Sequence, residues 1–328
     1  SVQPAGGDDC VAVEQHDVPG GWCHSFTLEG YRFSPGVHYI GELGPGGRMR
    51  AIYEGLGIGG DLAFCELNPD GYDHMLVGSE RFDIPKGREV FADRRKARFP
   101  AARKGIDGYL NTVGKLGSEL DKIMEFRGVK DLLTLPFRAP SVARWGMSTA
   151  KSLIEKYAKS PLLRAILAGQ CGDHGLPPSM SPAPVHASVM AHYFDGGWYP
   201  KGGATSLPRA FIRGLKRAGG EIHVRTAVAK ILLEGNRAIG VRLADGTEVR
   251  ANSVISNADP EVTFQRLIGP ERLSSKLRTR LSKTMYSVSA LSLFLASSRS
   301  PLGVFALFFS ILCNNQPAPF HTPKNSRY

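Results

Sequence analysis

Residues 221–256, EIHVRTAVAKILLEGNRAIGVRLADGTEVRANSVIS, alternate polar and apolar side chains and are cut by turn signals at Glu234-Gly235-Asn236 and Asp245-Gly246. A period of two excludes a helix and predicts a β-meander of several strands joined by tight turns. Its last piece, Ser253–Ser256, reads as a short apolar strand running into Asn257-Ala258-Asp259-Pro260. The segment before the meander has the other period. Thr205 or Ser206 is placed to cap a helix with Pro208 in its first turn. Leu207, Phe211 and Leu215 fall on one face, Arg209, Arg213, Lys216 and Arg217 on the other, and Gly219-Gly220 ends it.

Helical spacing also dominates the middle of the chain. Ile106, Leu110, Val113, Leu116, Leu120 and Ile123 recur at intervals of three and four. VARWGMSTAKSLIEKYAKSPLLRAILAGQ continues as helices up to a proline-rich break at 176–184. With 328 residues, 38 glycines and 22 prolines, the chain suits a mixed fold of two domains with many turns. Beyond residue 285 two apolar runs of about ten and twelve residues are separated by Ser297–Pro301. A bilayer-spanning helix needs ~20 apolar residues, so core strands are the reading for both. Residues 313–328 are expected to be disordered.

The net charge of +11 permits contact with anionic membranes, cofactor phosphates or nucleic acid. No zinc-finger spacing and no base-reading helix stand out, so no nucleic-acid partner is expected. The densest basic run is Lys86, Arg88, Arg94, Arg95, Lys96, Arg98, Arg103 and Lys104, interleaved with Glu89, Asp93 and Asp107. It reads either as a solvated helical face or as a patch for peripheral docking on an anionic membrane. The five cysteines (10, 23, 65, 171 and 313) are scattered without a C-x-x-C, as in a reduced, cytoplasmic protein. The histidines lack metal spacing; His186 and His192, six apart, do not share a helix face, and no metal is expected. The start, SVQPAGGDD, has no basic stretch followed by an apolar run, unlike a secretory signal.

The segment CVAVEQHDVPGGWCHSF, residues 10–26, has an apolar strand ending in Glu14 and then a Gly20-Gly21 pair. A carboxylate at the C-terminal end of a strand can accept both hydroxyls of an adenosine ribose; equally, it can be a solvated acid. Paired glycines let a backbone approach a ligand with no Cβ in the way. Read with Thr226-Ala227-Val228 and Val254–Ala258, and with EGYRFSPGVHYIG, IPKG, HYFDGGWYPKGGATSLPRAF, VISNADP and YSVSALSLFLA in that order, the chain resembles the flavin-dependent amine oxidase and phytoene desaturase superfamily. It is most similar to the branch holding retinol saturases, carotenoid isomerases and bacterial phytoene desaturase-like proteins; HYxxGGxYPxGG at 192–203 points there. Trp22-Cys23-His24 stand where many members of the superfamily have an arginine.

The resemblance implies an α/β fold: a partial Rossmann-like FAD-binding domain with the β-meander, and an inserted α+β substrate domain. The FAD-binding domain is expected over 1–45 and 195–275, and a mostly helical substrate domain over 46–194 and 276–312. It implies FAD as cofactor, with Glu14 and Gln15 at the ribose, Gly20 and Gly21 near the pyrophosphate, Val228 offering its backbone to adenine, and Ser256, Asn257 and Ala258 beside the adenine half. The family opens on a strand and a G-x-G-x-x-G turn that receives the pyrophosphate. The present chain is expected to lack that unit and the family's C-terminal flavin cover. The implied substrate is a lipophilic polyene, a carotenoid or retinoid, undergoing desaturation, saturation or isomerisation at a carbon–carbon double bond. His38, Tyr39, His192 and Tyr193 are the candidate catalytic residues, since aromatics suit a polyene wall and His or Tyr can carry protons; packing accounts equally for each, as it does for Trp198-Tyr199. Lys201 reads as a headgroup contact or an exposed turn lysine. An amine oxidase-like flavoprotein, or an inactive fragment without flavin, are the alternatives.

Overall fold

β1 (Val11–Val13) pairs in parallel with β8 (Glu221–His223), Val11 opposite Glu221 and Val13 opposite His223. The computed structural model describes residues 10–123, 128, 131, 133–284, 286 and 294. The apolar runs expected past residue 286 and the 313–328 tail lie outside the described residues, as does Cys313. After β1 come a hairpin, β2 (Phe26–Leu28) with β3 (Tyr31–Phe33), and helix α1 (Arg48–Gly55). Two-stranded sheets then form between β4 (Phe64–Glu66) and β7 (Trp198–Pro200), and between β5 (Asp73–Val77) and β6 (Glu80–Ile84).

The middle of the chain is helical, as its spacing predicts. α2 (Arg88–Arg98) and the 21-residue α3 (Arg103–Ile123) are followed by α4 (Leu135–Arg138), α5 (Pro140–Trp145), α6 (Ala150–Tyr157), α7 (Pro161–Ala168), a 3₁₀ turn at Gly169–His174, and α8 (Ala183–His192). Ile106, Leu110, Val113 and Leu116 of α3 are buried, while Leu120 and Ile123 are half-buried near its end. Each fully buried aliphatic side chain contributes on the order of 2 kcal/mol. Around this stripe gather Leu153, Ile154, Leu163, Leu167, Ala183 and Ala187, forming a core drawn wholly from residues 72–193. Glu119, also on α3, is buried because it caps α5: its carboxylate accepts from the Ser141 and Val142 amides at 2.7 and 3.0 Å and from the Ser141 hydroxyl at 2.8 Å.

A second, smaller core joins Leu43, Tyr53, Ile58 and Trp198 to Leu207 and Ala210 of α9 (Ser206–Arg217). The expected side-chain cap of this helix is absent. Thr205 already has helical dihedrals (φ −60°, ψ −18°), and the Ser206 hydroxyl instead donates to Gly203 O at 2.8 Å. The third helical residue is Pro208, which has no amide hydrogen for a cap to receive. The C-terminus ends as predicted: Gly219 takes φ +83° and the Gly220 amide returns to Leu215 O at 2.9 Å. Leu207 and Leu215 are buried, whereas Phe211 is exposed; Arg213 and Arg217 hold Asp61.

The meander forms as β9 (Val228–Glu234), β10 (Arg237–Leu243) and β11 (Glu248–Arg250), antiparallel in the order β11-β10-β9, and α10 (Ser275–Ser282) comes after it. The predicted strand at 253–256 does not form. Its residues join no ladder, and Ile255 is 76% exposed. An extended segment becomes a strand only against a neighbour that takes its amides and carbonyls, and among the described residues none lies alongside.

The basic run at 86–104 is not one cationic face. Lys86 pairs with Glu66, Arg94 with Asp70, Lys96 with Asp107 and Arg98 with Glu80, at 2.5–3.2 Å. Arg88 binds Asn111, and Arg95 is buried against the Phe91 ring. The sequence shows the charges without the acids that fold back onto them.

Candidate active site

Two places in the fold gather the residues singled out in the sequence. The first is the C-terminal end of β1. The Glu14 amide donates to His223 O at 2.9 Å, and the Thr226 amide donates to Glu14 O at 2.8 Å. Residue 14 therefore runs beside the chain that leads through Ala227 into β9 at Val228. The Glu14 carboxylate is held by the His16 amide at 2.8 Å, across Gln15. Gly20 and Gly21 follow in left-handed conformations, φ +116° and +53°. They differ in use: a Cβ on Gly20 would meet the Pro208 ring at 2.8 Å, so its bareness serves packing against α9. A Cβ on Gly21 would meet nothing within 4 Å, so its backbone faces open space. Ser256 binds Thr263 side chain to side chain at 2.7 Å, and Ala258 O accepts from the same hydroxyl; the π-helical turn Val262–Ile268 that carries Thr263 packs on β9. Asn257 is exposed between them. Glu14 thus lies beside Thr226, two residues before Val228, Gly20 sits on α9, and 256–258 attach through the turn packed on β9.

The second place is a cavity of about 240 Å³ lined by His38, Glu42, Asp173, Val189, His192 and Tyr193, among others. Strand β7 positions one wall. It pairs with β4 on one side and, through a bridge between Trp198 and Ile40, fixes the segment carrying His38 and Tyr39 on the other. Gly41 must be glycine here, since a Cβ would lie 2.2 Å from His192 O. The rings of His38, Tyr39, Tyr193 and His192 form an edge-to-face chain with successive centroids 4.4–4.8 Å apart, and Tyr72 packs on Tyr39 at 5.4 Å. All four residues expected to be catalytic are therefore in one cluster.

Their chemistry differs. Both nitrogens of His192 are engaged: Nε2 accepts from the Gly41 amide at 2.9 Å and Nδ1 faces Glu42 at 3.3 Å. That assigns the proton to Nδ1 and makes His192 a brace. Glu42 stands at φ +55°, an uncommon conformation for a residue with a side chain. Tyr39 donates to Asp73 Oδ2 at 2.9 Å; burial, with Asp173 and Asp73 nearby, pushes its hydroxyl well above the usual range. Burial likewise raises Tyr193, whose carbonyl accepts from the Tyr72 hydroxyl at 3.1 Å. His38 is driven down by burial and stands 3.8 Å from Asp173.

Asp173 is the residue the sequence did not mark. Its carboxyl is 22% exposed, and burial, reinforced by the Asp73 charge, lifts it to about 7. A carboxyl poised near neutrality beside a histidine kept neutral can hold or release a proton. Asp73, from β5, and Asp173, from the 3₁₀ turn, lie a hundred residues apart, and neither sits in a motif that would have flagged it.

A family profile described as flavin containing amine oxidoreductase matches residues 3–317. The chain belongs to that family. Its flavin-containing character agrees with FAD as cofactor. Among similar proteins are an all-trans-retinol 13,14-reductase of Danio rerio, 31% identical over 92% of this chain and 52% of that protein, and a chloroplastic prolycopene isomerase of Arabidopsis thaliana, 25% identical over 80% and 46%. The chain spans about half the length of these relatives. A solved Pyrococcus furiosus protein matches the fold with a TM-score of 0.55 at 18% identity (84% of this chain, 59% of that one). An oxidoreductase from Methanosarcina mazei matches at 0.53 and 18% (84% and 58%). Family and neighbours agree on an α/β flavoprotein fold. No described helix is long and apolar enough to cross a membrane.

Proposed function

We propose that this flavin-family chain serves an FAD-dependent oxidoreductase acting on the carbon–carbon double bonds of a polyene such as a retinoid or carotenoid. The observation that supports the cofactor part is the end of β1, where Glu14 runs beside Thr226, two residues before the meander begins at Val228, and is followed by the open Gly21 backbone. The fit is that of an adenosine half-site: an acid at a parallel strand's end for the ribose, a bare left-handed backbone beside it, and β9 for the adenine edge. On this reading β1, β8 and the meander are part of a Rossmann-like FAD-binding domain built from 1–45 and 195–275, and residues 46–194 form an inserted substrate domain. A core whose buried members all come from 72–193, with Tyr39 packed against it from the first segment, supports that division.

Bound FAD supplies the hydride chemistry. The residues of this chain supply proton handling and position. Asp173, with His38 at 3.8 Å, holds the exchangeable proton at the cavity, Tyr39 orients Asp73, and Glu42 with His192 fixes the wall. The polyene class is supported by the names of the relatives rather than by this cavity. Its volume of about 240 Å³ falls below the ~300 Å³ at which small-molecule pockets usually begin, and its lining is largely polar, so it suits the reacting end of a substrate and not its whole length. The test is to titrate the purified chain with FAD by flavin fluorescence, then assay the loaded form against all-trans-retinol, prolycopene and a simple amine. Saturable binding weakened by Glu14→Ala, with turnover of a polyene, is expected. Absence of binding sinks the cofactor reading; turnover of the amine alone replaces the polyene with an amine substrate.

A further inference from the structure

Away from β1, on the turn that brings Asp173 to the cavity, three side chains able to bind a metal converge. Cys171 Sγ and one ring nitrogen each from His174 and His186 all lie within 4.8 Å of one another. Cys171 and His174 are three apart in the 3₁₀ turn Gly169–His174, where i and i+3 eclipse and point the same way. His186 projects toward them from α8. The spacing C-x-x-H in one element and H twelve residues later in another is invisible to a search for histidines on one helix face.

The surroundings are those of a built site. Cys171 and His186 are buried, and Sγ lies 3.3 Å from His186 Nδ1. The other nitrogen of His186, Nε2, is 2.7 Å from the Tyr109 hydroxyl, which can pass a hydrogen bond on to Leu167 O at 3.5 Å. That partner places the His186 proton on Nε2 and leaves the Nδ1 lone pair turned to the sulfur. His174 repeats the pattern: Nε2 is 3.2 Å from the Ser181 hydroxyl, and Nδ1 is shielded from solvent with no hydrogen-bond partner. A hydrogen-bond partner on the far nitrogen is the usual brace of a metal-bound histidine, fixing tautomer and ring plane, and here a hydroxyl stands in that place. The sulfur and imidazoles form a mixed soft and borderline donor set, the kind zinc selects.

We propose that Cys171, His174 and His186 form a Zn²⁺ site with its fourth position open to water. Tetrahedral zinc at ~2.3 Å from sulfur and ~2.0 Å from nitrogen requires ligand atoms roughly 3.3–3.6 Å apart. The Cys171–His186 pair already stands at that separation, and the third ligand closes by about 1 Å through side-chain rotation. On binding, the Cys171 S–H bond breaks, the sulfur electron pair forms the S–Zn bond, and the proton leaves to buffer, with no change in oxidation state. The ion would tie the turn that carries Asp173 to α8, which ends at His192.

The untagged chain is stripped with chelator, then titrated with Zn²⁺ and, separately, with Co²⁺. One equivalent of Zn²⁺ by elemental analysis is expected, with an intense near-ultraviolet thiolate-to-cobalt band and tetrahedral visible bands for Co²⁺. Cys171→Ser should abolish the thiolate band, and His174→Gln should weaken zinc by more than tenfold. His174 is only half-buried and is the substitution that spares the core; circular dichroism checks that each variant folds. If the unaltered chain retains no stoichiometric zinc, or its cobalt form shows no thiolate band, the site does not exist and the trio is a hydrogen-bonded core cluster. Zinc held equally by both folded variants overturns it as well. None of these readouts depends on flavin.

Discussion

The two ends of the candidate site are built from different materials. At the end of β1 the chain uses mainly backbone: a carboxylate held by the amide two residues on, a turn of two glycines, and the neighbouring segment between β8 and β9. At the cavity it uses side chains collected from residues 38–42, 72–73, 173 and 192–193 and held by ring contacts and by hydrogen bonds and ion pairs to carboxylates. A backbone site tolerates side-chain change but not a change of dihedral angle. A side-chain site behaves in the opposite way, and its electrostatics are costly to maintain.

That cost gives the largest expected effect. Asp173 titrates at about 7 in the folded protein, against ~3.9 when unfolded. Between these values the folded state keeps a proton that the unfolded state has lost, so stability falls as pH rises from ~4 through ~7. Three units correspond to an upper limit of about 4 kcal/mol. Asp173→Asn should remove the slope: thermal melts at pH 8 should move up by several degrees while melts near pH 4 barely change. A variant that melts lower at both pH values would mean that the carboxyl is a stabilising partner, and the contrast with Glu14 would be lost.

The glycine pair tests the backbone end. Gly20→Ala combines a left-handed dihedral with a clash on Pro208 and is expected to cost about 2–3 kcal/mol in denaturant unfolding. Gly21→Ala meets open space and should cost about 1 kcal/mol, while its methyl enters the approach path assigned to FAD. Equal losses of stability would show that the two glycines have one role.

These differences also decide what could be read in the sequence. The meander was legible because each of its strands pairs with the next one along the chain. The long helix α3 was legible because one period fixes its buried face. The strand at 253–256 was misjudged because strand character depends on a neighbour, and the cap at Thr205 because the helix has no amide where Pro208 stands. Asp73, Asp173 and the pairing of His192 with Gly41 and Glu42 were out of reach: each is defined by residues up to 151 positions away. The acids that neutralise the run at 86–104 were in plain view as letters, but their geometry was not.

Glu14→Gln keeps size and shape but accepts ribose hydroxyls less strongly. Losing a charged acceptor is worth about 1.5–2 kcal/mol, so FAD affinity should drop by roughly tenfold or more while the melting temperature holds. Turnover at saturating FAD should be unaltered. Loss of turnover with unchanged affinity would move Glu14 to the reaction side.

Tyr39→Phe is the mirror image and the smallest expected change. The lost hydroxyl gives up one hydrogen bond to Asp73, which is only partly buried, so water can replace the donor and the cost should be about 1 kcal/mol or less. The ring remains, and with it the packing on Tyr72 and Tyr193. FAD affinity should match the unaltered chain, because nothing in the cavity reaches the ribose end. The pH profile of turnover should shift, because Asp73 freed from Tyr39 changes the field on the Asp173 carboxyl. Flavin titration and a pH–rate series on the same preparations of Glu14→Gln and Tyr39→Phe would then cross: one variant moves affinity alone, the other the pH profile alone. If both move affinity, the two ends of the site are one unit, and the division between a backbone-built cofactor end and a side-chain-built reaction end does not hold.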